Sequence, residues 1–188
     1  LHAWEGPGGH RADDAEVAGN LNMLLVGGTD TLPKVMANFA TRLFRNPDQR
    51  RELAADPSLA VDAFNEAVRI DMPTQNMARM ITKPLAVPSG TLEADKPLLL
   101  LYASANRDER EFPDPERYDI RRRAPRSLSF SHGTHACIGL HVARKEGELA
   151  INELLRRHPE YVVEPENAVK YETEFVQGMA NLPMRLDG

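Results

Sequence analysis

The chain has 188 residues, enough to bury a hydrophobic core and to form one domain. Its 28 acidic against 23 basic side chains leave a net charge of −5, which argues against a dedicated nucleic-acid binder. One cysteine excludes an intrachain disulfide and fits a reducing compartment, and no apolar run reaches transmembrane length. With no charged-then-apolar leader at residues 1–7, a soluble, cytoplasmic protein that neither enters a membrane nor binds nucleic acid is expected.

Residues 1–9 carry glycine and proline and read as a loop. Residues 12–45 read as one long helix, with apolar positions at Val17, Leu21, Leu24, Leu25, Val35, Phe39 and Leu43. Asn46-Pro47-Asp48 looks like a fresh helix start, with Asn46 as cap and Pro47 in the first turn, and the helix runs to about Ala55. Another helix over residues 57–70 is expected to break or bend near Val61. Short strands follow at 78–82, 85–87 and 97–101, separated by the turn signals Pro88-Ser89-Gly90 and Glu93-Ala94-Asp95. Residues 105–129 are polar and irregular, a length of meander that is uncommon unless it frames a site. A strong helix returns over 138–157, and short strands and turns complete the chain. The fold class is mainly α with a minor β-sheet (α+β), in one unit over residues 1–188.

Three constellations carry chemistry. Val26-Gly27-Gly28-Thr29-Asp30-Thr31 lies inside the long helix, where each glycine costs about 1 kcal/mol relative to alanine. Pro33 removes the N–H that would bond the Thr29 carbonyl. The plain reading is a kink. The alternative is an opened groove that sets the Asp30 carboxylate and the Thr31 hydroxyl beside freed carbonyls, as a small-ligand pocket with a proton path requires. Glu66-Ala67-Val68-Arg69 puts opposite charges on one helix face, which alone is commonly a solvated pair.

The third constellation is Phe130-Ser131-His132-Gly133-Thr134-His135-Ala136-Cys137-Ile138-Gly139, directly before the last long helix. Most isolated cysteines are small buried hydrophobes. Here glycines on both sides let backbone approach a bulky planar object, and a helix starting at the sulfur would point its first amides at it. A single sulfur donor on such a loop suits an axial haem ligand. Zinc held by His132, His135, Cys137 and His141 is the competing metal reading, and a cysteine nucleophile is a third.

The spacing Phe-x-x-Gly-x-His-x-Cys-x-Gly, Gly28-x-Asp30-Thr31, Glu66-x-x-Arg69, Asn106-Arg107-Asp108 and Phe112-Pro113-Asp114-Pro115-Glu116-Arg117-Tyr118 together resemble the cytochrome P450 monooxygenases of the soluble bacterial type. The likeness spans about residues 20–185. Family members are roughly twice this long, so it implies the C-terminal half of that fold: the long oxygen-activating helix, the cysteine loop and the helix after it.

By resemblance, Cys137 is the axial ligand of the iron of haem b. His135 and Arg79 bond haem propionates, and Phe130, Gly133, Gly27 and Gly28 border the cofactor. Thr31 steadies the O2 co-substrate and Asp30 relays protons to it. Glu66, Arg69 and Arg117 form a buried structural network that locks the meander. Ser131 stands where glycine is usual, and a retained turn is expected. Tyr118 stands where phenylalanine is more usual.

Substrate contacts are expected from Thr74 and Gln75 and from Val176 and Gln177. The implied reaction inserts one oxygen atom into a small apolar substrate, terpenoids being the nearest class by resemblance. Electrons would come from a ferredoxin and its reductase, docked against the basic run Arg121, Arg122, Arg123, Arg126, Arg144 and Lys145. The rival reading is a truncated haem-binding or inactive fragment without a complete site.

Overall fold

The structure, a computed structural model, describes residues 5–186. Residues 1–4 of the expected N-terminal loop lie outside the described residues, and its remainder forms a 3-10 turn at Pro7–Gly9. Helix α1 runs unbroken over Asp14–Arg45. It starts on a capping box: Asp13 Oδ1 accepts the Glu16 N–H at 2.8 Å while Glu16 Oε2 accepts the Asp13 N–H at 3.0 Å. Arg42 and Arg45 sit in its last turn, where the helix end is electronegative.

Helix α2 covers Pro47–Ala55, with Pro47 in the first turn as its fixed φ favours. Asn46 does not cap it through its side chain. Its Nδ2 instead donates back to the Arg42 carbonyl at 2.8 Å, closing α1. The expected interruption near Val61 is a 3-10 turn at Pro57–Leu59 that leads into α3, Ala60–Ile70.

Strands β1 (Met77–Met80), β2 (Leu85–Val87), β3 (Gly90–Leu92) and β4 (Pro97–Leu100) pair antiparallel as β1 with β4 and β2 with β3. The β3 strand was not legible in the sequence, because three residues opening on glycine carry no alternation to read. A short helix α4, Tyr102–Ala105, opens the meander, and α5 spans Leu140–Arg157. Then β5 (Val162–Val163) pairs with β8 (Met184–Arg185), and β6 (Val169–Glu172) with β7 (Gln177–Asn181). The minor sheet is therefore four separate two-stranded ladders.

The core is built where α1, α3 and α5 meet: Val35, Phe39, Leu43, Phe64, Ile151 and Tyr161 are all buried. Phe39 and Phe64 meet edge to face, with centroids 6.1 Å apart. Tyr161 donates its hydroxyl to the Ala40 carbonyl at 2.7 Å, so the one polar atom it brings into the core is satisfied. Only the second half of α1 enters this core. Leu21, Leu24 and Leu25, expected among its buried positions, are half or more exposed, as are Met23 and Val26.

Helices α3 and α5 approach so closely that a Cβ on Gly147 would lie 2.3 Å from the Phe64 ring. Gly147→Ala should therefore destabilise the chain by about 1–3 kcal/mol, since the clash is with a fully buried ring. Gly19→Ala, on the open first half of α1, meets nothing within 4 Å and should stabilise by up to about 1 kcal/mol. Urea midpoints of the two variants read the opposite signs directly.

Candidate functional site

On α1 the glycine pair does not open a break. Thr29 Oγ1 donates to the Leu25 carbonyl at 2.8 Å and Thr31 Oγ1 to the Gly27 carbonyl at 3.2 Å, so both hydroxyls fold back along the helix. The expected groove is thus a continuous helical face with a proline on it, in place of a gap. A Cβ at Gly27 or Gly28 would meet nothing within 4 Å, which leaves this face bare. Asp30 is half-exposed and pairs with Lys34, whose Nζ stands 2.6 Å from Asp30 Oδ1. Sequence reading passed over Lys34, although an acid and a lysine four apart on a helix are a recognisable pair.

Glu66 and Arg69 are both fully buried on α3. Arg69 grips the carboxylate with two parallel bonds, Nε to Oε2 at 2.7 Å and an Nη to Oε1 at 2.8 Å. Its remaining donors reach the Asn106 and Pro115 carbonyls at 2.7 and 2.8 Å, and its guanidinium lies over the Phe112 ring. The third member of the network is Arg122, not Arg117. Arg122 Nε donates to Glu66 Oε1 at 3.0 Å, and its other nitrogens bind the Pro113, Asp114 and Arg117 carbonyls. The Arg117 side chain is exposed, and the residue serves through its backbone, N–H to the Asp114 carbonyl and carbonyl to Arg122. The reason is geometric: around the turn at Asp114, with φ 48°, the carbonyls of Pro113, Asp114 and Arg117 converge on Arg122.

Asn106 is a second hub of the meander. Fully buried, it accepts the Leu128 N–H at 2.7 Å and donates to Ser129 Oγ at 3.0 Å. Arg42 holds Asp71 by two bonds of 2.6 and 2.7 Å, and that hydrogen-bonded partner raises the guanidinium's already high pKa. Tyr118 is buried and donates to the Ala63 carbonyl at 3.2 Å. Burial pushes its phenol well above the ordinary value. These contacts clamp the meander on α3, and the cysteine loop follows directly from it.

The loop itself is held by backbone. The Cys137 N–H donates to the Phe130 carbonyl at 2.8 Å, and the Ala136 N–H to the Gly133 carbonyl at 3.0 Å. Gly133 has φ 66° and Ser131 φ 61°, both in the left-handed region. The turn expected at Ser131 is present, and serine bears the strain that glycine would avoid. Its Oγ lies 3.3 Å from the Tyr102 hydroxyl. Helix α5 starts at Leu140, three residues beyond Cys137 and later than expected, with the Leu140 N–H bonded to the Cys137 carbonyl. Arg144 ties the loop back to α3: its guanidinium lies 5.7 Å from the Phe130 ring centre, and Nε donates to Asn65 Oδ1 at 2.9 Å. Cys137 is a free, exposed thiol, His135 is exposed, and Ile138 beside them is 84% exposed.

Arg79 stands on the half-buried side of β1, with one nitrogen 2.8 Å from the Ala78 carbonyl. The four substrate-contact candidates come together. Thr74 and Val176 form an isolated bridge, the Gln75 N–H bonds the Phe175 carbonyl at 2.8 Å, and the Gln177 N–H bonds the Pro73 carbonyl at 2.9 Å. Gln75 and Gln177 also line a cavity of about 410 Å³ with Met72, Met179, Arg107 and Lys170. The basic run is largely occupied: Arg123 faces Asp62 at 3.7 Å, Arg126 faces Glu111 at 3.0 Å and Lys145 faces Glu148 at 3.1 Å, while Arg121 pairs with Glu52.

Among the described residues no group of three or more His, Cys, Asp or Glu side chains could hold a metal ion, so the zinc set of His132, His135, Cys137 and His141 is not assembled. The residues present fit haem. It asks the protein for one anionic donor, and one exposed thiol is offered on a loop closed by the Ala136 and Cys137 N–H groups. It also needs room for a flat macrocycle, and Gly27 and Gly28 of α1 and Gly133 of the loop leave space that a Cβ would not find occupied.

A family model described as Cytochrome P450 matches residues 58–183. Cytochrome P450 130 of Mycobacterium tuberculosis is 37% identical over 180 residues, which covers 92% of this chain and 44% of that protein. The cytochrome P450 monooxygenase PikC of Streptomyces venezuelae is 35% identical, over 94% of this chain and 43% of its own length. Among solved structures, the tirandamycin C-bound P450 monooxygenase TamI superposes with a TM-score of 0.89 at 32% identity, covering 94% of this chain and 45% of that one. The post-tailoring hydroxylase HmtN of himastatin biosynthesis gives 0.91 at 31% identity, over 96% and 49%. The chain spans under half the length of the curated relatives it matches.

Proposed function

The chain belongs to the cytochrome P450 family, and we propose that it forms, as one unit over residues 1–188, the thiolate-bearing half of a haem-dependent monooxygenase. The observation that carries this is the lone exposed thiol of Cys137, on a loop closed by left-handed Ser131 and Gly133 and anchored to α3 through Arg144. Haem b, when bound, supplies the activation of O2 that lets one oxygen atom enter an unactivated C–H bond. Cys137 would supply the sulfur donor to its iron, His135 and Arg79 would bind its propionates, and Phe130, Gly133, Gly27 and Gly28 would border it.

The chain's own residues orient and move protons. The Asp30 carboxylate, half in solvent, takes protons from water and passes them along α1. The Thr31 hydroxyl rests on the Gly27 carbonyl through a 3.2 Å bond, long enough for a stronger acceptor to win the proton. Thr31→Ala should lower the product formed per O2 consumed several-fold, with the shortfall recovered as hydrogen peroxide. Unchanged coupling removes the hydroxyl from the mechanism.

The paired segments at residues 73–75 and 175–177 mix apolar side chains with amides, which suits a small apolar, terpenoid-like substrate with one polar handle. No helix of the described residues is long and apolar enough to cross a membrane; the enzyme proposed is cytoplasmic and served by a ferredoxin and its reductase. A second reading is favoured by one observation: Leu21, Met23, Leu24, Leu25 and Val26 lie open on α1. With that surface bare, this chain alone is a haem-binding or inactive fragment that needs further chain to close its site. A reduced-plus-carbon-monoxide difference spectrum tests both. The red-shifted thiolate band from this chain alone establishes a self-sufficient haem site; the band only from a longer chain supports the fragment reading. Its absence from both overturns the proposal.

A further inference from the structure

Among the described residues Lys34 is the one buried lysine, and three groups surround it. Its Nζ bonds Asp30 Oδ1 at 2.6 Å and the Asp30 carbonyl at 3.0 Å. The same ammonium lies 4.9 Å from the centre of the Tyr171 ring. Its stem packs on Gly178 so tightly that a Cβ there would lie 2.6 Å from Lys34 Cβ. Tyr171 and Gly178 are opposite each other in the β6–β7 ladder, so Lys34 is seated on one cross-strand pair. Asp30, by contrast, leaves 45% of its side chain exposed, while Lys34 leaves 11%. The fixed member of the pair is the lysine, and the acid is held from it.

We propose that Lys34 is a positioning residue for Asp30: its ammonium sets the carboxylate, and its stem ties that carboxylate to the hairpin that carries Val176 and Gln177. The inference rests on the reading of Asp30 as the proton-passing acid and goes beyond it by naming what orients the acid and what senses substrate. A lysine packed on Gly178 through its stem and bonded to Asp30 through its head transmits a shift of the hairpin to the carboxylate. Substrate bound against residues 175–177 then sets the acid for proton delivery, and an empty hairpin lets it swing to water. Gly178 is part of the device, since any side chain there would displace the stem.

The test uses the haem-loaded full-length protein and three variants, Lys34→Met, Lys34→Arg and Asp30→Asn. Lys34→Met should lower product per O2 consumed about tenfold, as expected when a catalytic group is misplaced by a fraction of an ångström or more. Lys34→Arg, which restores a cation to the same stem, should recover most of it. Hydrogen exchange supplies a readout apart from turnover: Asp30→Asn should speed amide exchange along β7 several-fold, because Lys34 loses its anchor. Normal coupling in Lys34→Met alongside uncoupling in Asp30→Asn overturns the role of Lys34 and spares that of Asp30. Normal coupling in both overturns the reading of Asp30, and this inference with it. Unchanged β7 exchange in Asp30→Asn overturns the link to the hairpin.

Discussion

Cys137→Ser is expected to abolish the red-shifted band of the reduced carbon-monoxide complex completely while leaving the chain folded. Both halves of that expectation follow from exposure. Cys137 is exposed, so exchanging sulfur for oxygen should change stability by no more than about 0.5 kcal/mol. The loop is closed by the Cys137 N–H to the Phe130 carbonyl, and a serine keeps that bond. What changes is the donor. A thiol ionises readily when a metal takes its lone pair, whereas a hydroxyl is a hard, weakly acidic donor that offers little of the electron density iron needs from this side. His132→Ala and His141→Ala should keep the band, and these variants separate thiolate ligation from a histidine ligand. A band that survives Cys137→Ser, or one lost in His141→Ala, would move the ligand away from the sulfur.

The contrast between Cys137 and the rest of the site also marks how much of it was legible in the sequence. Local chemistry was readable wherever a short spacing carried it: Pro47 opening α2, a retained turn at Ser131 before the cysteine, two charges three apart on α3. Each depends on contacts within a few residues, so sequence order and spatial order coincide. The hairpin of β2 and β3 was half-read, through its turn, because one of its strands opens on the turn glycine itself. The stripe of α1 was misread for a different reason. Helical periodicity reports that a face is apolar, not what covers it, and Leu21, Leu24 and Leu25 have the right spacing but no cover among the described residues.

Arg117 fell to a similar ambiguity. Three arginines stand in a row at 121–123 with a fourth at 117, all on irregular chain, and no period selects which turns inward. The choice is made by the positive-φ turn at Asp114, a property of backbone that the local sequence Pro-Asp-Pro does not announce. Lys34 was missed because its importance lies in a contact with Gly178, 144 positions away, that only the fold creates.

Arg69→Met should cost about 3–5 kcal/mol, the largest stability loss expected from any single side chain in this region. Glu66 is wholly buried, and of its three partners Arg69 supplies two of the shortest bonds. Removing it leaves a buried carboxylate with Arg122 at 3.0 Å and one backbone N–H at 3.3 Å, and it orphans the Asn106 and Pro115 carbonyls as well. Methionine fills much of the volume but satisfies none of these groups, so the loss is dominated by desolvation left without compensation. Arg122→Met should cost less, because Arg69 still grips Glu66 from two sides and Arg122 is partly open to water. Arg117→Met should fall within about 0.5 kcal/mol of the parent, since only its backbone is bonded and its side chain is exposed. Denaturant midpoints for the three variants, measured side by side, give the ranking. If Arg117→Met proved as damaging as Arg69→Met, the inward arginine would be Arg117 after all. If Arg122→Met alone were silent, the network would close on two members and the meander would be clamped by Asn106 and Arg69 without it.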